Sequence, residues 1–335
     1  MSDIIDFVIT WVDGNDPVWR KERDRYAALE QMDIENTDAR YRNWETLRYW
    51  FRGVEKFAPW VNKIFFVTCG HLPEWLDTDN PKIQIVKHSD FIPAEYLPTF
   101  NSSAIELYFN KIKGLSEQFV YFNDDMFLLD EVKPSRFFRN GLPCDIGGMT
   151  FNMHSGMFGA SVLLSTTIVN KHFDKQAVIR QHPSKWFNRR YIRASLLNAV
   201  CLSIRGKEFP GFVNPHMPYG YLKKTYDEIW RNCEKDLVRT SRNRFRAYGN
   251  IAPWLIRYWH LASNDFSPYN PYQDGVYYLL GNDNAAQVAD CIQRQKKKMI
   301  CINDSDDITD FESLKDRING AFETLFPGKS SFELF

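Results

Sequence analysis

The chain predicts an α/β fold, with a Rossmann-like, largely parallel sheet over residues 1–140 and a mainly helical second half over 141–335. Three observations predict it. Four apolar runs of strand type stand at 4–12, 63–69, 83–87 and 119–127. Helical periodicity occupies the stretches before the second run and before the fourth. Polar or acidic clusters follow the first, third and fourth runs, where an open parallel sheet presents its cleft.

The elements follow in chain order. Residues 4–12, IIDFVITWV, read as a buried strand ending in the turn cluster DGNDP. Residues 18–58 are charged and read as helical. The clearest piece is YRNWETLRYWFRGVEKFAP, in which Leu47, Phe51, Val54 and Phe57 share one face and Pro59 marks the end. KIFFVTC (63–69) is the second strand and IQIVK (83–87) the third. Residues 102–112 read as a helix, and FVYFNDDMF is the fourth strand. Residues 141–170 are rich in Gly and Ser with β-type runs, as in GGMTFNMHSGMFGASVLL. Helices are expected at 176–206, 221–235 and 251–262. A last amphipathic helix, DFESLKDRINGAFETLFP, has Asp310 as its cap. No internal repeat and no long linker stands out, so the chain reads as one catalytic body over 1–335.

Bulk properties exclude several classes. Lys plus Arg number 42 and Asp plus Glu number 42, so the long-range basic field of a nucleic-acid binder is absent. Aromatics make up 16% of the chain, including 10 Trp, enough for sugar or base stacking although most such rings pack in cores. The six cysteines form no CxxC pair, which fits a reduced, cytoplasmic chain. The start, MSDIIDFVITWVDG, lacks a basic leader and a long apolar run, so no signal peptide is expected. No stretch reaches the ~20 apolar residues of a spanning helix, and any membrane association is expected to be peripheral, at the inner membrane face.

Four constellations carry chemistry. The first is Asn123 with Asp124 and Asp125, two adjacent carboxylates inside an apolar run. Hard cations such as Mg²⁺ take one or two protein carboxylates and complete their shell with substrate phosphate, although an isolated DD is equally well a turn. The second is TWVDGNDP. Gly14 permits tight backbone geometry, amides beside Asp13 and Asp16 can meet phosphate, and Trp11 offers a ring for a base, although the stretch reads equally as an ordinary turn with a core Trp. The third is the basic set Arg40, Arg42, Arg48, Arg52, then Arg189, Arg190, Arg193, then Arg242, Arg244, Arg246. Most of these read as solvated surface, and Arg246, beside a Gly/Pro-bearing segment, stands out as a phosphate clamp. The fourth is NPHMPYG, where His216 sits between two prolines in a rigid loop; local sequence alone favours an ordinary surface-loop histidine, while a histidine so held could also take a proton from a hydroxyl. His182, in QHP, is a weaker candidate of the same kind.

GxxxxGK[ST], GxSxG, HExxH and GxGxxG are all absent. What is present resembles the Stealth family, which includes bacterial capsular polysaccharide phosphotransferases and the eukaryotic GlcNAc-1-phosphotransferase. IDFVITWVDGNDPVW (5–19) is similar to its first block. LRYWFRGVEKFAPWVNKIFFVTCGHLPEWL, LPTFNSSAIE and GLSEQFVYFNDDMFL are similar to the second. Residues 182–230, closing in NPHMPYGYLKKTYDEIW, resemble the third and RFRAYGNIAPWLIRYWHLAS (244–263) the fourth. The tail ICINDSDD…KSSFE also fits bacterial members.

The resemblance implies a nucleotide-sugar cleft and transfer of a sugar 1-phosphate from a nucleotide sugar, a UDP-hexose or UDP-N-acetylhexosamine by default, to a hydroxyl of a capsular or surface polysaccharide or lipid-linked glycan. A phosphodiester forms and UMP leaves. Glu106, Asp125, His216 and Arg246 match the family's functional positions. Asp124 and Asp125 would hold Mg²⁺ or Mn²⁺. Trp11, Asp13, Gly14, Asp16, Arg42, Arg48 and Asn101 fall to the nucleotide side. His216 is the expected base, with Asp125 and Glu106 as alternatives. Cys69 stands where the family often has Asp or Asn, and Asn43, Trp44 and Thr46 also depart from its pattern, all near the expected donor pocket. Two other readings remain: a metal-dependent glycosyltransferase that releases UDP, and a non-catalytic sugar-binding module built on the Trp and Tyr residues.

Overall fold

The computed structural model of the chain describes residues 4–30, 42–153, 155–251, 253–305 and 307–335. Its centre is a five-stranded sheet made of β1 (Ile5–Thr10), β2 (Ile64–Thr68), β3 (Ile83–Lys87), β4 (Gln118–Phe122) and a later strand, Tyr219–Leu222. The spatial order is β3-β2-β1-β4 with Tyr219–Leu222 at the far edge. The first four strands are parallel, and the edge strand runs antiparallel to β4. Strand order reverses between β1 and β4, so the crevice of an open α/β sheet opens beyond Thr10 and Phe122.

Both faces of this sheet are covered, which explains the near-continuous apolar runs. Residues of β1 alternate between two cores. Ile5, Phe7 and Ile9 join α2 (Leu47–Phe57) and the C-terminal elements, whereas Val8 joins the helices of the second half. α2 approaches closely because Gly53 has no side chain: a Cβ there would sit 2.9 Å from the Leu128 carbonyl oxygen. α1 (Pro17–Leu29) starts at Asp16, whose carboxylate caps the Trp19 amide at 2.6 Å.

The second sheet begins directly after the acidic pair. β5 (Met126–Leu128) leaves β4 through a tight turn closed by Met126 N–H to the Asn123 carbonyl, 3.2 Å. Two short strands, β6 (Phe138–Arg139) and β7 (Leu142–Asp145), form a hairpin. The edge strand Tyr219–Leu222 is β8, and β9 (Ser267–Pro268) pairs with β7. β10 (Gly275–Leu280) and β11 (Met299–Asp304) are parallel, and β11 lies antiparallel to β5. Residues 275–335 therefore return to the first half of the chain. The return is fixed by buried Arg52 on α2, which makes a bidentate pair with Glu333 at 2.8 Å on both arms and donates to the Phe326 carbonyl at 2.8 Å.

The helices are α3 (Ser102–Glu106), α4 (Gly156–His172), α5 (Lys175–Gln181), α6 (Pro183–Trp186), α7 (Ile192–Ser203), α8 (Lys223–Ser241), α9 (Trp254–Ala262), α10 (Ala285–Gln293) and α11 (Phe311–Leu325). Asp310 caps α11 through the Ser313 amide at 3.1 Å, as the sequence predicts. Other expectations are corrected. The β-type reading of 141–170 holds only for β7, because 156–172 is helical. Gly159, Ser161 and Ser165 are buried in α4, and Ser165, Thr166 and Thr167 return their hydroxyls to carbonyls four residues back at 2.8–3.0 Å. Close packing overrides the strand preference of the run. The helix expected at 102–112 stops at Glu106 and resumes as a short 3₁₀ turn at 109–111. The helix expected from 221 starts at Lys223 because 219–222 is the edge strand, and it extends to Ser241. The six cysteines are free thiols. No described helix is long and apolar enough to cross a membrane.

Candidate active site

The site grows from the turn between β4 and β5. Asp124 and Asp125 sit where the chain passes from one sheet to the other, so the acids interrupt an apolar run because two cores meet there. Asp125 is fixed from behind by β11: its carbonyl accepts Ile302 N–H at 2.9 Å, and its Oδ2 accepts the Cys301 thiol at 3.3 Å. From the front it meets His216, whose Nε2 lies 3.9 Å from Oδ2. Asp125, His216 and Cys301 place ligand atoms within 4.8 Å of one another. Asp125 Oδ1 is buried with no hydrogen-bond partner.

His216 comes from the loop between Met149's partner Phe212 and β8. Three contacts stiffen that loop. Asn214 Oδ1 accepts from Arg257 Nη1 and the Tyr258 hydroxyl, each at 2.9 Å. Arg257 is itself locked by a buried bidentate pair with Asp145 at 2.6 and 2.9 Å. The Tyr219 hydroxyl donates to the Pro215 carbonyl. The imidazole packs beside Tyr277, with ring centroids 5.5 Å apart.

Glu106 ends α3 and is buried. Its Oε2 has no hydrogen-bond partner, while Tyr121 hydrogen-bonds the carboxyl and Thr10 Oγ1 lies 3.0 Å from the Tyr121 hydroxyl. Thr10, Tyr121 and Glu106 thus link the carboxyl ends of β1 and β4 at the switch point. Arg246, exposed, donates to Ser102 Oγ at 2.7 Å and lowers the pKa of both Glu106 and Asp124.

Asp125 and His216 are half-buried, Asp124 and Arg246 exposed and Glu106 buried, so the group meets solvent on one side and protein on the other. Burial pushes Glu106 up to about 8 against the pull of Arg246. Burial, then the neighbouring Asp124 charge, pushes Asp125 up to about 7. Asp124 is also raised by burial, with Arg246 opposing. Burial depresses His216 to about 4, so at neutral pH the imidazole is uncharged and able to accept a proton. A site that raises three carboxyl pKa values and leaves two carboxylate oxygens unpaired fits a divalent cation, whose charge reverses those shifts.

The nucleotide-side residues separate into groups. Trp11, Asp13, Gly14 and Asp16 gather beyond β1. There Asp13 N–H donates to His71 Nε2 at 2.8 Å, Trp11 meets the His71 ring edge at 5.2 Å, and Arg20 binds the Gly14 carbonyl. Cys69 is exposed beside them. Arg42 lies at the end of β11, 3.3 Å from Asp304 and over Phe311, and Arg48 covers Trp75. Asn101 is fully buried: it caps α3 through Ser103 N–H and donates to the Asn243 carbonyl at 2.9 Å, which ties α3 to the segment carrying Arg246. His182 is exposed at the α5–α6 junction. Arg40 lies outside the described residues. Sequence reasoning missed Cys301, Tyr121, Asn214, Asp145 and Arg257. Tyr121, Asn214 and Arg257 each lie inside a motif stretch the sequence reading singled out; Asp145 does not, and Cys301, though inside the tail block, carried no signal of its own.

Comparison with known proteins bears on the whole length. The models of Stealth protein conserved regions 1, 2 and 4 match residues 5–29, 40–144 and 290–335. The fourth region thus falls on the tail, not on 244–263 as the sequence reading had it. That tail is the segment that sets Cys301 against Asp125 and Glu333 against Arg52. Capsular polysaccharide phosphotransferase WcwK of Streptococcus pneumoniae is 43% identical over 333 residues, 98% of this chain and 98% of that protein. Exopolysaccharide phosphotransferase cps2G of Lactiplantibacillus plantarum is 38% identical, covering 98% and 96%. Receptor polysaccharide phosphotransferase WefC of Streptococcus gordonii is 37% identical over 100% of both chains. With similarity of this extent from end to end, the chain belongs to the Stealth protein family.

Proposed function

We propose that this protein transfers a sugar 1-phosphate from a nucleotide sugar to a hydroxyl of a growing capsular or surface polysaccharide. The observation that carries the reading is the convergence of Asp124, Asp125, Glu106, Arg246 and His216 at one switch-point cleft, in a chain whose full-length relatives are named as polysaccharide phosphotransferases. The acceptor oxygen attacks the phosphorus that bears the sugar. The bond from that phosphorus to the nucleoside phosphate breaks, and a nucleoside monophosphate leaves. Phosphoryl transfer of this kind needs positioning and charge stabilisation above all.

His216 takes the acceptor proton: it is neutral at working pH and half-exposed beside Asp125. Asp125, 3.9 Å away, steadies the imidazolium that results. Arg246, with an exposed guanidinium, neutralises charge on the transferred or leaving phosphate. Asp124 and Asp125 would hold Mg²⁺ or Mn²⁺, which when bound supplies positive charge to the donor diphosphate. Trp11 and the turn around Gly14 receive the nucleotide. Phosphorus NMR of reactions with a panel of UDP-sugars, Mg²⁺ and a capsule-type acceptor tests this. UMP with a new phosphodiester resonance, lost in His216→Ala, is the expected result. Release of UDP without a phosphodiester replaces this reading with glycosyl transfer.

A further inference from the structure

We propose that the outer face of α7 is a docking surface for an anionic lipid bilayer. The helix exposes Ile192 (62%), Leu196 (66%) and Val200 (52%), with Ile204 (46%) directly after its end. Steps of four residues keep these side chains on one face. The opposite face carries the polar anchor. Asn198 is fully buried, accepts Met149 N–H at 2.7 Å, and donates to the Gly147 and Trp186 carbonyls at 2.7 and 2.6 Å. Buried Lys175 holds the far end through the Cys201 and Ile204 carbonyls at 2.8 and 3.3 Å. α7 is therefore apolar on both sides: Ala194, Leu197 and Cys201 pack inward around the Asn198 anchor, and Ile192, Leu196 and Val200 are left outward without cover, unlike an ordinary surface helix.

Charge identifies what covers it. The chain as a whole is balanced, yet no Asp or Glu occurs from Lys175 to Lys207. Exposed Arg189, Arg190 and Arg193 stand at the start of the strip, and exposed Arg205 and Lys207 at its end. None of these five pairs with a carboxylate among the described residues. The bordering acids are Asp174, engaged in capping α5, and Glu208. Arg190 also shares with Arg139 and Asn140 a surface cavity of about 570 Å³. An apolar strip framed by cations is the composition of an interfacial helix, with alkyl side chains in the acyl boundary and arginines on lipid phosphates. A second copy of the chain suits the face poorly, because pairing two such strips sets cation against cation at both ends. Asn198 ties α7 to the Gly147–Met149 segment, which pairs with Phe212 and Val213 just ahead of His216. The docking face and the catalytic loop thus share one wall, although the inference holds whatever reaction that loop performs.

The test is co-sedimentation of the full chain with vesicles of phosphatidylcholine alone or mixed with phosphatidylglycerol, at low and high salt. Binding to the anionic vesicles only, with release by salt, is expected. The triple variant Arg189→Gln, Arg190→Gln, Arg193→Gln is expected to lose about fivefold in partitioning per arginine, roughly a hundredfold in all. The triple variant Ile192→Ser, Leu196→Ser, Val200→Ser is expected to lose binding while keeping its circular dichroism and its activity on a soluble acceptor. Leu196→Trp is expected to shift its emission to the blue on anionic vesicles. Failure of the wild type to bind them, or unchanged binding in both triple variants, overturns the proposal. A concentration-dependent dimer dissolved by Leu196→Ser, without vesicle binding, assigns the face to a second copy instead.

Discussion

Glutamine in place of Glu106 is expected to separate stability from activity. The carboxyl is buried, one oxygen has no partner, and its pKa stands at about 8 against an ordinary 4.5. Between those values the folded chain keeps a proton that the unfolded chain has released. Stability is therefore intact below about 4.5 and falls as pH climbs toward 8. At about 1.4 kcal/mol per unit, raising the pH from 5 to 8 costs the wild type about 3 kcal/mol through this one residue. The Glu106→Gln variant has nothing to titrate there. Urea unfolding followed by tryptophan emission, with chelator present, is expected to show the variant gaining on the wild type by about 3 kcal/mol between pH 5 and 8. Phosphodiester formation is expected to be lost in the same variant. A stability difference that does not grow with pH, or a variant less stable than the wild type at pH 8, refutes the reasoning.

Three further outcomes follow from the same geometry. His216→Gln is expected to lower turnover by about 10²–10⁴. His216 titrates at about 4 in the folded chain against an ordinary 6.5, so its contribution is complete above 6.5 and lost as pH falls toward 4; the variant should resist acid better in urea unfolding at pH 4.5 than at pH 7, relative to wild type. Glu333→Gln removes the bidentate partner of buried Arg52 and leaves it only the half-exposed Glu323 carboxylate at 3.1 Å, and a loss of about 3 kcal/mol in urea midpoint analysis is expected, with activity retained while the protein stays folded. Asn214→Ala releases the loop before His216 from Arg257 and Tyr258, and steady-state kinetics are expected to show turnover falling about a hundredfold with little change in KM.

The central sheet was legible because period-two burial on both faces writes itself as apolar runs, and the switch-point rule then placed Asp13 and Asp124–Asp125 correctly relative to the strands. Other features were not legible for physical reasons. FVYFNDDMFLL reads as one strand, but β4 and β5 belong to different sheets, and only the β11 partner settles that. GVYYLL (275–280) does alternate, and it was a missed signal. Cys301 gave none, because a lone cysteine in ICIND looks like any small core residue. The helix α4 reads as strand because its glycines, serines and threonines serve close packing and back-bonding. Arg42 and Arg48 fall in motif blocks, yet their guanidinium groups are engaged by Asp304 and Trp75. Such choices are decided by partners more than 200 residues away in the case of Asp304, or by the turn after β2 in the case of Trp75.

The placement of β11 behind Asp125 has a consequence for the order of events during synthesis. The acidic pair is made early, but its backing strand, Met299–Asp304, emerges some 175 residues later, and the Glu333 clamp on Arg52 comes later still. A nascent chain stopped anywhere before that point carries the motif without the frame that orients it. Incomplete chains are therefore expected to lack a positioned acidic pair until the tail docks on α2 and the last strand backs the turn. Closing such a long loop is slow and strongly topology-limited, so the arrival of activity in a translation reaction should lag the arrival of full-length chain.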